Sequence, residues 1–321
     1  MLAALLTGCT GSFEKSDILA NHRDLTAGAI IAKGYQLRTY RHGQATPGQS
    51  LHVYLEGDGR PWLSRTRISP DPSPKRQLAL ELMALDPLPS LYLGRPCYFG
   101  QAQAPGCSPH LWTFARYSET VVATMAAALR QIMTEEHIEQ LTLIGYSGGG
   151  VIAWLLAERL PEVTRLITIA ANLNVEAWTR HHGYSPLTDS LDPSTRAPLR
   201  ATVAHWHLIG TKDTQVPAYL SDNQIGPELQ NARISRLNID HNCCWTNRWP
   251  DILQCIQRAP SQQRMATRHP SDARQIRSNQ QARHGQRGAL SLPSCPDNRR
   301  HGGLCARASR WWLPRNPWIS F

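Results

Sequence analysis

The stretch that decides the fold is Leu141-Thr142-Leu143-Ile144, followed directly by Gly145-Tyr146-Ser147-Gly148-Gly149. The apolar run predicts a buried strand, and the stretch from Val151 to Leu160 has a helical pattern. A serine between small residues, where a strand turns abruptly into a helix, has the layout of a nucleophile elbow. Glycine at Gly145 and Gly149 leaves room for so tight a turn. The alternative is an ordinary glycine-rich turn, such as one that binds phosphate.

Segments of the same kind recur along the chain of 321 residues and predict an α/β protein. Candidate strands alternate with helical patterns, which indicates a mostly parallel central sheet with helices on both faces. The strands are Leu51–Leu55, Ser90–Leu93, Leu141–Ile144, Thr164–Ala170, Val203–Ile209 and Arg233–Ile239, and the clearest helices are Gln77–Leu85, Ser118–Thr134 and Val151–Leu160. We expect the segment from Leu173 to Leu199 to be irregular, either a cap over the site or a long loop. No apolar stretch approaches the length that spans a bilayer.

An acid and a base follow the serine in the order that this type of fold imposes. The acid is expected after a later strand and the histidine nearer the C-terminus. Asp213 lies in the loop after the strand that ends near Ile209, and His241 follows the strand that ends at Ile239. The sequence therefore predicts Ser147, Asp213 and His241 as a catalytic triad.

Competing acids and histidines fit these roles less well. Asp240 adjoins His241, and neighbours on an extended segment point to opposite faces. The other candidates are expected to be turn residues at Asp189 and Asp192, core histidines at His205 and His207, and pocket-lining histidines at His181 and His182. His182 is the second choice for the base.

A glycine-rich loop after an early strand is a candidate for the oxyanion hole. The strand Ser50–Leu55 runs into Glu56-Gly57-Asp58-Gly59. This pattern predicts the backbone amides of Asp58 and Gly148 as the two donors to a developing oxyanion. A carboxylate at Asp58 would oppose the reaction unless it points away or pairs, and Arg60 is the expected partner. An ordinary Asp-Gly turn is the alternative.

With these motifs the chain resembles the bacterial α/β-hydrolase superfamily, and within it the lipoprotein-like serine hydrolases of unassigned substrate. The resemblance is carried by Tyr54–Gly59, Leu93–Cys97, Gly145–Gly149, Asn172–Asn174, Gly210–Asp213 and His241–Trp245. It implies an α/β-hydrolase fold and hydrolysis of a small-molecule or lipid ester, with no cofactor. Two alternatives remain: a catalytically silent binding or scaffold protein, and an enzyme that acts as a peptidase, thioesterase or lysophospholipase.

The N-terminal residues 1–9 end in Leu6-Thr7-Gly8-Cys9, which matches a bacterial lipobox. The motif predicts a partial signal peptide, lipid attached to Cys9 and anchoring at the periplasmic side of the cell envelope. Thr10 favours the outer membrane. The apolar part is short for a signal peptide, so we expect the true start a few codons upstream. A buried apolar terminus with an incidental cysteine is the alternative.

The chain has eight cysteines, which suits an oxidising compartment. Cys97 and Cys107 bracket a short Gly/Pro-rich loop and are a candidate local disulfide. Cys255 is expected to pair with Cys243 or Cys244, with the full connectivity left open. Zinc is the main alternative use of these residues, but Cys-Cys beside His241 is not a recognised ligand spacing, so no metal is expected.

The basic charge of the chain is concentrated at its C-terminal end. Residues 261–321 contain eleven arginines against two aspartates, which accounts for nine of the ten formal positive charges. This polar, aperiodic segment predicts a disordered tail after a hydrolase domain at residues 10–260. A shifted or extended reading frame would explain its composition. The sharper alternative is a functional tail that touches anionic lipid or nucleic acid; for the hydrolase domain itself, no nucleic-acid partner is expected.

Overall fold

The computed structural model of the protein describes residues 12–46, 48–222 and 232–258. Within them, one sheet contains eight strands in the order β1-β2-β4-β3-β5-β6-β7-β8. The strands are β1 Thr26–Ala32, β2 Tyr35–His42, β3 Ser50–Leu55, β4 Ser90–Leu93, β5 Gln140–Tyr146, β6 Val163–Ile169, β7 Ala204–Gly210 and β8 Ala232–Leu237. The lipidation candidate Cys9 and the tail at 261–321 lie outside the described residues.

The strands from β3 to β8 pair in parallel, as the alternation of strand and helix patterns predicted. The central strand β5 is buried along almost its whole length, which is typical of a parallel strand covered on both faces. The sequence analysis missed the antiparallel hairpin of β1 and β2, which pairs with β4 at one edge. Its turn at Lys33 and Gly34 has positive φ at both residues, 48° and 83°.

Two layers of helices cover the two faces of the sheet. The helices are α1 Ser12–His22, α2 Leu78–Met83, α3 Glu119–Glu136, α4 Gly148–Arg159, α5 Val175–His182, α6 Ala218–Asp222 and α7 Trp245–Arg258. Apolar side chains of α3 and α4 form one buried cluster with the sheet, whereas those of α2 and α7 form a second cluster on the opposite face. No helix within the described residues is both long and apolar enough to cross a bilayer.

The segment that was expected to be irregular contains a helix. Asn174 caps α5 by accepting a hydrogen bond from the amide of Ala177, and Gly183 ends the helix in the left-handed conformation. A short 3₁₀ turn at Pro193–Thr195 follows. The sequence missed α5 because this helix is only 8 residues long and its caps lie inside a loop-like stretch, while most of the rest of the segment is irregular, as expected.

The cysteines pair in part as expected. The structure joins Cys97 to Cys107, whose Cα atoms lie 5.5 Å apart. It also places the sulfur of Cys243 against that of its neighbour Cys244, and the expected pairing of Cys255 with one of these two residues stays a prediction. Cys255 lies on α7, where its half-buried side chain packs against the second apolar cluster. The chain turns tightly after His241, and Cys244 has a φ of 70° in this turn.

Parallel pairing brings several loops to one edge of the sheet. The loops after β3, β5, β7 and β8 all leave from the carboxyl ends of their strands, and these loops contain Glu56–Gly59, Ser147, Asp213 and His241. In α/β sheets this edge is where ligands bind, because the loops leave a crevice there.

Candidate active site

Ser147 lies at the sharp turn between β5 and α4. Its φ of 51° and ψ of −125° fall in a region that residues with side chains rarely adopt. The backbone amide of Ser147 donates to the carbonyl of Ile169 at 2.8 Å, and the amide of Gly150 donates to the carbonyl of Ser147 at 2.8 Å. These bonds hold the serine in its strained conformation.

The predicted elbow glycines lie where the chain has no space for a side chain. A Cβ at Gly145 would lie 2.3 Å from the carbonyl oxygen of Gly149. A Cβ at Gly149 would lie 2.2 Å from the carbonyl oxygen of Leu55, at the end of β3. Both contacts would be with backbone atoms, so only a backbone shift could relieve them.

Three side chains that are far apart in the sequence form one hydrogen-bonded chain. The hydroxyl of Ser147 lies 3.1 Å from Nε2 of His241, and Nδ1 of His241 lies 2.7 Å from Oδ2 of Asp213. Since a carboxylate can only accept, Nδ1 carries the proton and Nε2 accepts from the serine. The structure therefore brings together the three residues that the sequence singled out.

The acid loop is anchored by backbone amides. The side chain of Asp213 is completely buried, with 0% exposure. Its second oxygen, Oδ1, accepts hydrogen bonds from the amides of Gln215 and Val216, both at 2.8 Å. One oxygen thus fixes the carboxylate to its own loop, which leaves the other to hold the imidazole.

The loop of His241 is held by hydrogen bonds to its backbone amides and to the carbonyl of His241. Asp240 accepts hydrogen bonds from the amides of Asn242 and Cys243. The carbonyl of His241 accepts from the Tyr146 hydroxyl at 3.2 Å and from Nε1 of Trp245 at 3.0 Å. Asp240 is therefore a turn residue of this loop.

The remaining candidate acids lie away from the serine. Asp189 pairs with His110 at the surface, and both side chains are more than half exposed. Asp192 caps the 3₁₀ turn by accepting from the amide of Ser194. Both are the turn residues that the sequence indicated.

The four competing histidines that the sequence singled out form two pairs. His205 and His207 are buried on β7, and burial lowers the pKa of His205 to about 4 and that of His207 to about 3. They are core histidines, as predicted. His181 and His182 lie on α5 and do not line the cavity that contains Ser147, so the pocket-lining expectation was wrong. The side chains of α5 that do line it include Trp178.

The loop after β3 lies directly against the serine. A Cβ at Gly57 would lie 3.3 Å from Cβ of Ser147. The carboxylate of Asp58 covers the first residue of α4, since a Cβ at Gly148 would collide with its Oδ1. No acceptor among the described residues takes a hydrogen bond from the amide of Asp58. Its assignment as an oxyanion donor stays a prediction, as does that of Gly148.

The charge of Asp58 is balanced by buried cations. Its oxygens lie 2.9 Å from Nη1 of Arg95 and 3.0 Å from Nη1 of Arg116, and one accepts from the Tyr117 hydroxyl at 2.6 Å. Burial opposes ionisation of Asp58, but the two guanidinium groups outweigh it and lower the pKa. The expected partner, Arg60, is therefore wrong. Arg95 stands in a motif that carried the family resemblance, and this was the available signal.

Glu56, at the start of the same loop, is buried, and its carboxyl group forms no ion pair within the described residues. Its two oxygens accept from the amides of Gly57 at 3.1 Å and Ala79 at 3.0 Å. Burial outweighs these hydrogen bonds and raises the pKa of Glu56 to about 8. The two acids of the loop thus place less negative charge near the serine than their formal charges suggest.

Ser147 and His241 open into a cavity of about 610 Å³. One part of its wall is aromatic and another is cationic. The aromatic residues are Trp62, Phe114, Tyr146, Trp178 and Tyr184, and the cationic residues are Arg60, Arg65, Lys75, Arg76 and Arg116. Sequence reasoning missed this wall, because its residues come from loops and from the short helix α5, whose sequences show no clear strand or helix pattern.

Helix α5 contacts the loop that contains the buried acid. Nε1 of Trp178 and Nε2 of His182 both donate to the carbonyl of Gln215, each at 2.8 Å. The amide of the same residue donates to Asp213. The helix therefore braces the backbone that holds the carboxylate. Among the described residues, no group of three or more histidines, cysteines and acids is placed to hold a metal ion.

Comparison with known proteins agrees with this architecture. A family model described as the alpha/beta hydrolase fold matches residues 96–194. The chain is similar to the solved structure of a puromycin hydrolase, with 16% identity, a TM-score of 0.51, and coverage of 71% of this chain and 38% of that one. It is also similar to a predicted CIB-like hydrolase from Thermoplasma acidophilum, with 13% identity, a TM-score of 0.48, and coverage of 73% and 98%.

An esterase from Pyrococcus furiosus has 11% identity and a TM-score of 0.49, with coverage of 74% of this chain and 95% of that one. No protein among those with curated function matches the chain. Identities this low bear on the fold alone. The sheet order, the family model over residues 96–194 and the likeness to the puromycin hydrolase show that the chain has an α/β-hydrolase fold.

Proposed function

We propose that this protein is a serine hydrolase that cleaves an ester-type bond through Ser147, His241 and Asp213. One observation carries the proposal. The serine on the strained turn, the imidazole and the buried carboxylate form a continuous hydrogen-bonded chain at the end of an open cavity. This is the arrangement that activates a weakly nucleophilic hydroxyl.

The reaction proceeds in two halves. His241 takes the hydroxyl proton as Oγ of Ser147 attacks the carbonyl carbon, and the carbonyl oxygen becomes an oxyanion. When the tetrahedral intermediate collapses, the bond to the leaving alcohol breaks and His241 protonates that alcohol. Water then gives a proton to His241 and attacks the acyl-serine. Collapse of the second intermediate releases the carboxylic acid and returns the proton to Ser147.

Asp213 serves this cycle by position and charge. Its hydrogen bond to Nδ1 keeps Nε2 of His241 free to accept the serine proton. Its negative charge stabilises the imidazolium that forms in each half. Because Oδ1 is bound to two amides, the carboxylate stays in place while the charge on the imidazole changes.

The backbone amides of Asp58 and Gly148 are the proposed oxyanion donors. Gly148 is the first residue of α4, so its amide lies at the positive end of the helix dipole. The side chain of Asp58 would oppose this role if its charge were unbalanced. Its contacts with Arg95 and Arg116 support the view that the amide can stabilise an anion.

The acids of this loop were the feature that favoured a silent scaffold. Arginines balance Asp58, and burial favours the neutral form of Glu56, so this feature no longer weighs against catalysis. A peptidase, thioesterase or lysophospholipase would use the same three residues on a different substrate. The choice among them belongs to the substrate experiment.

A fluorophosphonate probe tests the nucleophile. The wild-type protein should be labelled, and Ser147→Ala should abolish labelling while circular dichroism shows an unchanged fold. Ser185→Ala is the matched control, because Ser185 lines the same cavity and has no proposed role. Labelling that persists in Ser147→Ala would refute the proposal, and a folded wild-type protein that never labels would favour the scaffold. A chain-length series of p-nitrophenyl esters then defines the acyl group.

We also propose that the protein is anchored to the cell envelope, on the periplasmic side of the outer membrane, by lipid on Cys9. The support is the sequence Leu6-Thr7-Gly8-Cys9 alone. Cells fed a clickable palmitate analogue should incorporate it into the wild-type protein but not into Cys9→Ser. Cys255→Ser is the control, since its sulfur lies on α7. Equal incorporation in Cys9→Ser would contradict lipid attachment at this residue.

A further inference from the structure

The wall of the cavity next to Ser147 has a surplus of cations. Five cationic side chains and two acids line it. Two of the cations are already engaged. Arg116 pairs with Asp58, and Arg76 forms three hydrogen bonds with Glu81 and one with the carbonyl of Asn242.

The two acids do not neutralise the other cations. The carboxylate of Asp58 is occupied by Arg95 and Arg116 on its buried side. The carboxyl group of Glu56 faces the amides of Gly57 and Ala79. Neither acid forms an ion pair with any of the three remaining cations within the described residues.

Three cations remain, and we call them the cationic rim: Arg60, Arg65 and Lys75. Within the described part of the chain, none of them forms an ion pair or a side-chain hydrogen bond. Arg60 is half-buried, and Arg65 and Lys75 are exposed. Each lines the cavity that contains the serine.

The backbone beneath two of these side chains is firmly held. The amide of Arg60 donates to the carbonyl of Pro72 at 2.7 Å. Arg65 lies at the tip of a small hairpin that is closed by the bridge between Trp62 and Ile68. Trp62 in turn packs edge-on against Phe114 at 5.8 Å. Arg60 and Arg65 therefore extend from loops whose backbone is hydrogen-bonded, beside the aromatic residues of the cavity wall.

Unpaired cations in a cleft concentrate the positive potential there, because the low-dielectric walls focus the field. Guanidinium and ammonium groups bind carboxylate and phosphate oxygens through charge-assisted hydrogen bonds. We infer that the substrate is an anionic ester, whose carboxylate or phosphate group is bound by the cationic rim while its acyl carbonyl faces Ser147. This inference rests on the proposed function for the position of the scissile bond.

The test compares matched anionic and neutral esters. One pair is mono-p-nitrophenyl adipate and p-nitrophenyl hexanoate, which differ by a terminal carboxylate. The second pair is 1-butyryl-glycerol 3-phosphate and 1-butyryl-glycerol. In at least one pair the wild-type kcat/KM should favour the anionic ester by about tenfold or more. A preference confined to one pair identifies the anionic group.

Substitution then locates the effect. The triple variant Arg60→Gln, Arg65→Gln, Lys75→Gln should lower the ratio of anionic to neutral kcat/KM by about tenfold. Arg67→Gln is the control: Arg67 belongs to the same hairpin and is exposed, but it does not line the cavity, and within the described residues it bonds only through its backbone. This variant should keep the wild-type ratio. Raising the salt to about 0.5 M should reduce the preference, because exposed charges are then screened.

Two readouts separate this inference from the proposed function. Labelling by an uncharged fluorophosphonate reports the nucleophile alone. Calorimetric binding of the intact esters to Ser147→Ala reports anion recognition without chemistry, and the anionic member should bind more tightly. Labelling with no anionic preference in either pair overturns the inference but leaves the hydrolase standing. An equal loss of preference in the triple variant and in Arg67→Gln also overturns it.

Discussion

Asp58 shows how one residue can place a carboxylate beside a proposed oxyanion site without opposing it. Its oxygens face Arg95, Arg116 and the Tyr117 hydroxyl rather than open solvent. Both arginines are themselves buried, with 4% and 7% exposure. The carboxylate and the guanidinium groups therefore depend on each other, since either charge alone would be costly in this environment.

Asp58→Asn should destabilise the protein by about 3 kcal/mol, because it leaves two buried guanidinium groups without their counter-charge. It should also slow fluorophosphonate labelling, since the loop that supplies the proposed donor amide loses its anchor. Urea unfolding and labelling rates measure the two effects.

Asp189→Asn is the control for this prediction. It removes a surface ion pair with His110, and exposed pairs contribute about 0.5 kcal/mol or less. Equal unfolding free energies for Asp58→Asn and Asp189→Asn would contradict the proposed role of the buried cluster.

At the scale of elements, α5 links the cavity wall to the acid loop. Trp178 contributes its ring to the wall and its indole N–H to the carbonyl of Gln215. The amide of Gln215 holds Asp213. A helix that looks like loop in the sequence thus fixes the orientation of the carboxylate two hydrogen bonds away.

Trp178→Phe should lower the rate of fluorophosphonate labelling several-fold, because the acid loop loses a donor while an aromatic ring stays in the wall. Trp62→Phe is the matched variant, since Trp62 also lines the cavity but its indole bonds to no acceptor in the described part of the chain. Its labelling rate should fall less. Equal losses in the two variants would mean that the labelling rate depends on the indole rings of the wall and not on the hydrogen bond from Trp178 to Gln215.

At the scale of the whole molecule, two kinds of buried titratable group give the stability opposite dependences on pH. His205 and His207 lie against Trp154 in the interior, and Thr168 contacts Nδ1 of His207 at 2.8 Å. Glu56 is buried beside the active site. Burial favours the neutral form of the two histidines and the neutral form of Glu56.

The histidines should make the protein less stable in acid. Burial lowers the pKa of His207 to about 3 and that of His205 to about 4, from an ordinary value of 6.5. The unfolded chain therefore binds more protons between these values, and stability falls as the pH drops below about 6.5. His207→Asn should flatten this fall in urea unfolding between pH 7.5 and 5. His22→Gln, an exposed control, should not.

Glu56 should act in the opposite sense. Burial raises its pKa to about 8 from 4.5, so the folded state binds the extra proton between these values. Its contribution is fully present below pH 4.5 and is lost as the pH rises towards 8. Relative to the wild type, Glu56→Gln should therefore become more stable as the pH rises through this window. Parallel unfolding curves for the two proteins across the window would contradict this.

The sequence by itself determined the parallel strands, the turn at Ser147 and the order of serine, acid and histidine. These features rest on local patterns, namely apolar runs and the space that Gly145 and Gly149 leave at a turn. Parallel strands share one edge, so residues that follow different strands meet there whatever their separation.

Only the tertiary structure decided which residues balance and brace that site. The partners of Asp58 come from segments about forty and sixty residues away, and α5 reaches Gln215 across a loop. The edge hairpin β1–β2 and the link between Cys243 and Cys244 also emerged only there. The physical reason is that charges and hydrogen-bond donors pair by distance in space, and packing of sheet, helices and loops sets that distance.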